Sequence, residues 1–328
     1  MPIDNTDINA KLDELTVAAT TPTPMVVEFK NCHQSFTKDG KVEEFVKDVS
    51  FRVDGNETIA ILGPSGCGKS TLLRMLSGVY PRNVTMPTLG TVTINGEVVT
   101  GPRDEVLTVW QTPVMNRWMT VLGNVMLSFK PLIFGPRVRN PLEIMRDVAV
   151  GFVDRIPGLR GKFAYSAPYQ EIRDQSLAIL DVVGLSDAVY AKPRQLSGGM
   201  KQRAAIATKL AIKPPIVCMD EPFSALDGPT RMDLRGVVKS LKDKYPCMIF
   251  FVTHDVSEAL DVADRILVMA TRPATILTDI RLPPQKDRPA DWATSLEHAR
   301  LEASILQMIK DARANGKGGG DGNIRVSV

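Results

Sequence analysis

The stretch that decides the fold of this chain is Gly63-Pro64-Ser65-Gly66-Cys67-Gly68-Lys69-Ser70-Thr71. It fits the pattern G-x-x-x-x-G-K-[ST], in which a glycine-rich loop surrounds phosphate groups. Residues 57–62 before it are apolar and β-branched enough for a buried strand, and residues 72–76 after it suit a helix. The pattern therefore predicts a strand, a phosphate-binding loop and a helix; the alternative is a chance match of four fixed positions.

This loop offers the groups that bind a nucleotide phosphate. Glycines let the backbone approach an anion, and the N–H groups at the start of the helix point at its oxygens. Lys69 then reaches the β- and γ-phosphates, and the hydroxyl of Ser70 binds Mg²⁺. Cys67 is either a reactive thiol, because Lys69 and a helix start are close, or an inert small residue. We predict nucleotide contacts along the whole loop: Gly63, Pro64, Ser65, Gly66, Cys67, Gly68, Lys69, Ser70 and Thr71.

The composition limits the classes of protein to consider. The 328 residues can form one large domain or two smaller ones with an ample core. A formal net charge of +3 is too small to indicate nucleic acid as the main partner. Four cysteines without paired spacing predict reduced thiols. The acidic start is unlike a secretory signal and no apolar run is long enough to span a membrane, so we expect a soluble cytoplasmic protein that can still bind a membrane protein.

The order of predicted elements indicates an α/β fold with a parallel sheet, because strands alternate with helices in the second half of the chain. Residues 1–24 predict a flexible N-terminal arm, and the tail from Gly316 is expected to be disordered. The predicted strands are 25–36, 45–53, 91–99, 107–111, 216–220, 248–253, 265–269 and 274–282, and the segment 91–99 contains the hairpin signal Asn95-Gly96. The predicted helices are 119–129, 141–153, 170–183, 228–244, 256–263 and 291–313.

Two carboxylates follow an apolar strand in the second half of the chain. The strand at 216–220 ends in Asp220, and Glu221 comes next. A strand that delivers an aspartate beside a phosphate loop provides a partner for Mg²⁺. Glu221 is placed to orient or deprotonate an attacking water molecule. The alternative is a pair of solvated turn residues, but the phosphate loop in the same chain favours the functional interpretation.

Two further motifs place polar groups at the ends of elements. His254 follows the apolar strand at 248–253 and is either structural or a hydrogen-bond donor to a γ-phosphate. Ser197 is a good N-cap, and Gly198 and Gly199 let backbone N–H groups approach an anion. The simpler interpretation is a cap and a turn. A chain with one complete phosphate site needs a second one only if it completes the site of a neighbouring molecule.

Together these motifs resemble the ATP-binding-cassette (ABC) ATPases. Residues Leu196–Met200 are similar to the signature motif of that family, and the other motifs, including Ser224-Ala225-Leu226-Asp227, occur in the family's order. The resemblance covers roughly residues 26–280. It implies a P-loop NTPase fold at 25–282 with a mixed sheet core, an antiparallel β subdomain and a helical subdomain at about 112–212. A C-terminal helix and tail at 283–328 would follow.

The resemblance also implies roles for individual residues. Lys69 and Ser70 hold the phosphates and Mg²⁺, Asp220 supports Mg²⁺, and Glu221 is the catalytic base. Gln111 matches the glutamine that contacts Mg²⁺ and senses the partner.

Other matching residues belong to the switch, the dimer seam and the base of the nucleotide. His254 matches the switch histidine. Ser197 and Gly199, with Gly198 between them, would bind the γ-phosphate of ATP held by the opposite subunit, and Asp227 would lie at the dimer seam. Phe36 matches the aromatic residue that stacks on adenine, although it could equally be a core phenylalanine.

A lone cassette without membrane helices resembles the ATPase subunit of a bacterial importer. Residues 117–125 are similar to the stretch where a permease helix docks in nitrate, sulfonate and taurine importers. The segment 268–273 with Ile276 is similar to the end of that group, although Ala274-Thr275 replaces its usual Gly-Arg. Residues 131–166 are a basic segment that is longer than the family usually carries, and they are either a solvated surface or a contact with lipid headgroups or a membrane partner.

The resemblance thus implies a homodimeric ATPase that uses ATP and Mg²⁺ at the cytoplasmic face of the inner (plasma) membrane. It would energise uptake of a small anionic or nitrogen- or sulfur-containing solute through separate permeases, served by a periplasmic or surface solute-binding protein. One rival is a soluble ABC ATPase that acts on nucleic acid or ribosomes, which the single phosphate loop and the absence of heptads disfavour. A regulatory subunit without turnover is disfavoured because every catalytic position is filled.

Overall fold

The computed structural model describes residues 25–38, 41–80, 84, 86–129, 167–224, 226–270, 273–289, 291–315 and 324–326. The predicted arm at 1–24, the predicted helix at 141–153 and the basic segment at 131–166 lie outside these residues. Within them, every helix is too short or too polar to cross a membrane. Contacts divide the chain into two units, one holding the described parts of 112–213 and 225–241 and the other holding the rest from 25 onward.

The larger unit contains two β-sheets. The antiparallel sheet has the order β2-β1-β4-β5, and the mixed sheet has the order β11-β10-β9-β3-β8-β7-β6. These sheets confirm the predicted mixed sheet core and antiparallel β subdomain. The strands are β1 Val26–Lys38, β2 Lys41–Asp54, β3 Thr58–Leu62, β4 Leu89–Ile94, β5 Glu97–Val98, β6 Val106–Val109, β7 Ile216–Asp220, β8 Met248–Thr253, β9 Arg265–Met269, β10 Ile276–Arg281 and β11 Ile324–Val326.

The middle of the mixed sheet is a buried parallel layer. Strands β6, β7, β8, β3 and β9 run parallel, and every residue of β3, β8 and β9 is buried. A strand covered on both faces reads as a continuous apolar run, which is why the sequence marks these strands so clearly. The loops after parallel strands meet at one edge of the sheet, and this edge carries the polar residues discussed below.

Helices of the larger unit follow these strands. Helix α1 spans Lys69–Ser77, directly after the phosphate loop. Helices α6 (Val256–Val262) and α7 (Leu296–Asn315) come after β8 and β10. The short 3₁₀ turns Gln285–Asp287 and Trp292–Thr294 lie in the segment before α7.

The smaller unit is helical in the part that the structure describes. It contains α2 (Val121–Ser128), α3 (Ala167–Val182), α4 (Gly198–Leu210) and most of α5 (Gly228–Lys244). The sequence predicts α5 as part of the alternating α/β region, whereas in the structure most of α5 groups with the helical unit. Thr230, near the start of α5, lies against Gly199 at the start of α4.

Several predicted boundaries need correction. The strand predicted at 91–99 divides at its Asn95-Gly96 hairpin signal into β4 and β5, and Asn95 and Gly96 take positive φ angles of 51° and 85° in the turn. The helix predicted from residue 291 begins at 296, since the Ser295 Oγ accepts the N–H of His298 at 3.1 Å and so caps the helix. The tail is not wholly disordered: Ile324–Val326 pair in parallel with β10, whose free edge offers unpaired backbone groups.

Candidate functional site

The phosphate loop joins β3 to α1 and leaves the start of that helix without a side-chain cap. Gly68 is the N-cap of α1, with φ of 108°, a conformation that residues with a Cβ rarely adopt. A Cβ at this position would lie 3.2 Å from the Cβ of the buried Ala274. The first N–H groups of α1 therefore have no side-chain cap and follow a turn whose backbone conformation favours glycine. N–H groups at such a helix start can donate hydrogen bonds to an anion.

The side chain of Lys69 closes this loop. Its Nζ donates hydrogen bonds to the carbonyl oxygens of Gly63 and Pro64, each at 2.8 Å. Lys69 is buried, so its positive charge is shielded from bulk solvent. A buried ammonium group beside uncapped helix N–H groups makes the loop suitable for polyphosphate.

Ser70 and Asp220 meet at the end of strand β7. The Ser70 Oγ donates a hydrogen bond to Asp220 Oδ1 at 2.8 Å. Burial raises the pKa of Asp220 and the neighbouring Glu221 carboxylate adds to this, whereas the hydrogen bond from Ser70 and the charges of Arg74 and Lys69 lower it. A hydroxyl and a carboxylate are hard oxygen donors, so this pair fits Mg²⁺.

The described residues contain no group of three or more His, Cys, Asp or Glu side chains that could hold a metal ion. Mg²⁺ keeps several waters and binds substrate phosphates together with one or two carboxylates, so Ser70 and Asp220 are sufficient on the protein side.

Glu221 lies at the centre of a second group of polar side chains. Its φ is +46°, which is strained for a residue with a side chain, and such strain often occurs at functional sites. The Nε2 of Gln111 donates to Glu221 Oε2 at 3.4 Å and to Ser224 Oγ at 3.2 Å. On the other side, Nδ1 of His254 lies 3.6 Å from Glu221 Oε1. The structure thus brings Gln111, Glu221 and His254 together.

Ser224 also belongs to this group of polar side chains, although the sequence motifs predict no role for it. Its hydroxyl donates to the carbonyl oxygen of Glu221 at 3.0 Å while accepting from Gln111. It therefore holds the turn that gives Glu221 its positive φ. A serine three residues after the acid is the signal that could have indicated this bond, because Ser side chains often bond to nearby backbone groups in turns.

Ser197 and Gly199 lie in the helical unit, at the start of α4. The Ser197 Oγ accepts the N–H of Met200 at 3.2 Å, so the expected N-cap is present. Ser197 and Gly198 are exposed, but Gly199 is buried. A Cβ on Gly199 would lie 2.0 Å from Cγ2 of Thr230. Gly199 is therefore required for packing between α4 and α5, apart from any role with a ligand.

The remaining candidates occupy different surroundings. Phe36 is half-buried beside the core of the larger unit, and its ring meets Phe45 edge-on with centroids 5.0 Å apart. Asp227 is exposed, and its carbonyl oxygen accepts the N–H of Arg231 at 2.9 Å. Cys67 is buried, which favours the small-residue interpretation over a reactive thiol. All four cysteines are buried, and none of them is joined in a disulfide in the structure.

These observations define the class of the protein as an α/β protein with a phosphate-binding loop and a strand that ends in acidic residues. Residues 46–224 match the family described as ABC transporter. The chain belongs to this family and is an ATP-binding-cassette ATPase.

The chain is similar to the taurine import ATP-binding protein TauB of Roseobacter denitrificans, at 35% identity over 245 residues, 75% of this chain and 77% of that protein. It is similar to the nitrate import ATP-binding protein NrtD of Synechocystis sp., at 35% identity over 246 residues, 74% of this chain and 78% of that protein. These names confirm the resemblance to that importer group.

A solved structure shows the same fold. It is the dimeric, post-hydrolysis state of an ATP-binding cassette bound to ADP and Pi, with a TM-score of 0.59 and 28% sequence identity. The match covers 79% of this chain and 99% of that chain. This likeness confirms the predicted P-loop ABC fold.

Proposed function

We propose that this chain is the ATP-hydrolysing subunit of an importer, working on separate permease subunits. The observation that carries the proposal is the set of contacts that joins Ser70 to Asp220 and Glu221 to Gln111 and His254. The named functions of the taurine and nitrate import relatives support uptake of a small anionic or nitrogen- or sulfur-containing solute. We further propose that the ATPase domain extends over residues 25–282, with a helical subdomain at about 112–212.

Glu221 is the proposed general base. Water attacks the γ-phosphorus, its proton passes to a carboxylate oxygen of Glu221, and the bond to the leaving ADP oxygen breaks. Lys69 and the N–H groups of α1 bind the phosphate oxygens, and His254 donates a hydrogen bond to the γ-phosphate. Mg²⁺, held through Ser70 and Asp220 with Gln111 beside them, would neutralise phosphate charge.

Two copies of the chain complete each site in this proposal. The dimeric state of the related cassette supports it. Ser197, Gly198 and Gly199 of one copy would bind the γ-phosphate of ATP held by the phosphate loop of the other, with Asp227 at the seam. Phe36 would stack on the adenine ring.

The permease would dock on the helical unit, near residues 117–125. Trp118 is 68% exposed and Val114 is 74% exposed, which is unusual for large apolar side chains on one loop. The buried Asn124 fixes this loop: its Oδ1 accepts the N–H of Asn116 at 2.7 Å, and its Nδ2 donates to Asn116 O at 3.2 Å and Thr120 O at 2.8 Å.

A cavity of about 690 Å³ lies in the same unit and is lined by Tyr190, Ala191, Lys192, Arg194 and Gln195. Backbone bonds tie its wall to the start of α2, since Val121 and Leu122 donate to Ala191 and Val189, each at 2.9 Å. A concave surface bonded to the start of α2, together with the exposed Trp118 that precedes this helix, is suited to receive a helix of a partner protein.

Purification of the tagged chain from detergent-solubilised membranes tests this proposal. We expect an integral-membrane protein in the complex and an ATPase activity that is higher in the complex than in the chain alone. The change Trp118→Ala should weaken the complex by about 2 kcal/mol or more, as at an interface hot spot, and leave ATP binding intact. Val98→Ala, at an exposed apolar position on β5, is the matched control and should leave the complex unchanged. Recovery of ribosomal proteins or nucleic acid without a membrane protein would support the rival function.

A further inference from the structure

Helix α6 starts two residues after His254, and its other end is capped by side chains from a distant segment. The last carbonyl groups of an α-helix have no partner inside the helix. In α6 the carbonyls without a partner inside the helix are those of residues 260–262, and Ala263 is the C-cap residue. Side chains from residues 285–292 donate hydrogen bonds to the carbonyls of all four residues.

Arg288 makes the largest number of these bonds. Its Nη1 donates to Leu260 O at 2.9 Å and to Asp261 O at 3.2 Å, and its Nη2 donates to Ala263 O. Its Nε donates to Pro283 O at 2.8 Å, which anchors the guanidinium to its own segment.

Two other side chains complete the cap. Nε2 of Gln285 donates to Asp261 O at 2.8 Å and Val262 O at 3.0 Å. The indole Nε1 of the buried Trp292 donates to Leu260 O at 3.2 Å. We call Gln285, Arg288 and Trp292 the helix clamp.

The charge of Arg288 suits this end of the helix. Burial lowers the pKa of Arg288 and the charges of Asp264 and Asp261 raise it, but a guanidinium stays protonated in proteins. A positive charge at a helix C-terminus is favoured by the helix dipole. The guanidinium also lies 5.3 Å from the centroid of the Trp292 ring, within the range of a cation–π contact.

The opposite end of α6 is fixed beside His254. Asp255 Oδ1 accepts the N–H of Glu258 at 3.1 Å, and Thr253 Oγ1 donates to the Glu258 carboxylate while accepting the N–H of Asp255 at 3.0 Å. A helix of this length is about 10 Å long. The clamp and this network therefore hold the two ends of one short helix, and His254 lies between Thr253 and Asp255 at the end beside Glu221.

We propose that Arg288 is a positioning residue for His254. Through α6, the helix clamp sets the distance between Nδ1 of His254 and Oε1 of Glu221, which is 3.6 Å in this structure. The consequence for ATP hydrolysis rests on the proposed function of His254, whereas the positioning itself does not.

Imidazole NMR tests the positioning without any nucleotide. The chain has only three histidines, so ¹³C-labelled histidine gives three resolvable signals. In Arg288→Gln we expect the His254 signal to shift, the His298 signal to shift because its ring contacts Trp292, and the His33 signal to stay. Arg52→Gln, an exposed arginine paired with Asp54, is the matched control and should move none of them. An unchanged His254 signal in Arg288→Gln would overturn the proposal.

A milder pair of variants covers the case in which Arg288→Gln does not fold, shown by loss of the His33 signal. Arg288→Lys keeps the charge but loses the forked donor geometry, and Gln285→Ala removes one donor of the clamp. Each variant should shift the His254 signal in the same direction as Arg288→Gln does, but by a smaller amount. If both variants leave it unchanged, the clamp does not position His254.

Kinetics test the consequence for hydrolysis. We expect Arg288→Gln to lower kcat about 5- to 10-fold with the ATP dissociation constant within about twofold, and to cause no further loss in a His254→Ala background. Equal losses in both backgrounds would contradict an action through His254. If His254→Ala itself leaves kcat unchanged while the NMR shift is seen, the proposed role of His254 fails and the positioning stands.

Discussion

At the scale of single residues, Asp220 shows a conflict between stability and function. Its carboxylate is partly buried beside Glu221, and burial raises its pKa. Burial disfavours the ionised form of Asp220, so its charge lowers the free energy of unfolding. The ionised form is nevertheless the one that binds a metal ion. Ser70 reduces the destabilisation by donating one hydrogen bond.

We therefore predict that Asp220→Asn raises the melting temperature of the nucleotide-free protein at about pH 7.5 by about 1–3 °C, since Asn keeps the bond from Ser70 without the charge. Because the pKa of Asp220 is raised in the folded state, the folded wild-type protein binds a proton at Asp220 at a higher pH than the unfolded chain does. The destabilisation by the charge of Asp220 therefore decreases as the pH falls. The difference in melting temperature between Asp220→Asn and the wild type should shrink toward about pH 5. Thermal melts across this range check the prediction.

The exposed Asp311 on α7 provides the control for this experiment, since Asp311→Asn should leave the melting temperature unchanged at both pH values. A lower melting temperature for Asp220→Asn than for the wild type at about pH 7.5 would show that the charge of Asp220 stabilises the fold.

At the scale of elements, the contact between α4 and α5 explains one glycine of the signature motif. Gly199 faces Thr230 so closely that any side chain would overlap it. The motif is therefore constrained by helix packing as well as by its proposed ligand.

We predict that Gly199→Ala lowers the free energy of unfolding by about 1–3 kcal/mol, because the new Cβ would lie 2.0 Å from Cγ2 of Thr230. The added Thr230→Ala change removes that methyl group and should restore most of the loss. Urea unfolding of the nucleotide-free proteins measures this, and it excludes any effect on ligand binding. A double variant as unstable as Gly199→Ala alone would refute the steric explanation.

Elements with strong local patterns could be predicted from the sequence. The bounds of β7, β8, β9 and α5 agree with the predicted 216–220, 248–253, 265–269 and 228–244. Buried parallel strands are continuous apolar runs bounded by polar residues, so their ends are visible locally. Asp220, Glu221 and His254 are visible in the same way, because each lies at or directly after the end of one of these strands.

Features that depend on distant contacts could not be predicted in this way. The clamp on α6 joins Arg288 to Leu260, which is 28 residues away in sequence, and no periodicity encodes such a bond. The turn in which Glu221 takes its positive φ is held by a hydrogen bond from the Ser224 hydroxyl to the Glu221 carbonyl oxygen. The order of the seven strands likewise depends on crossovers that local patterns leave open.

At the scale of the whole molecule, the residues proposed for the two halves of a composite site belong to separate units. The phosphate loop, Asp220 and Glu221 belong to the larger unit, whereas Ser197 and Gly199 belong to the helical unit. In the proposed dimer, each nucleotide would join the larger unit of one copy to the helical unit of the other. ATP binding would then favour the dimer, and hydrolysis would release it, by reciprocal coupling of binding and association.

The most direct test of this account is the molar mass of the Glu221→Gln protein in Mg·ATP, measured by size-exclusion chromatography with light scattering. We predict a stable dimer of twice 35.9 kDa, with ATP bound and hydrolysis reduced by at least about 100-fold, because the base is removed while the contacts to ATP remain. Glu297→Gln, an exposed position on α7, is the matched control and should hydrolyse ATP without accumulating a dimer. A Glu221→Gln protein that stays monomeric in Mg·ATP and retains full turnover would contradict the central claim.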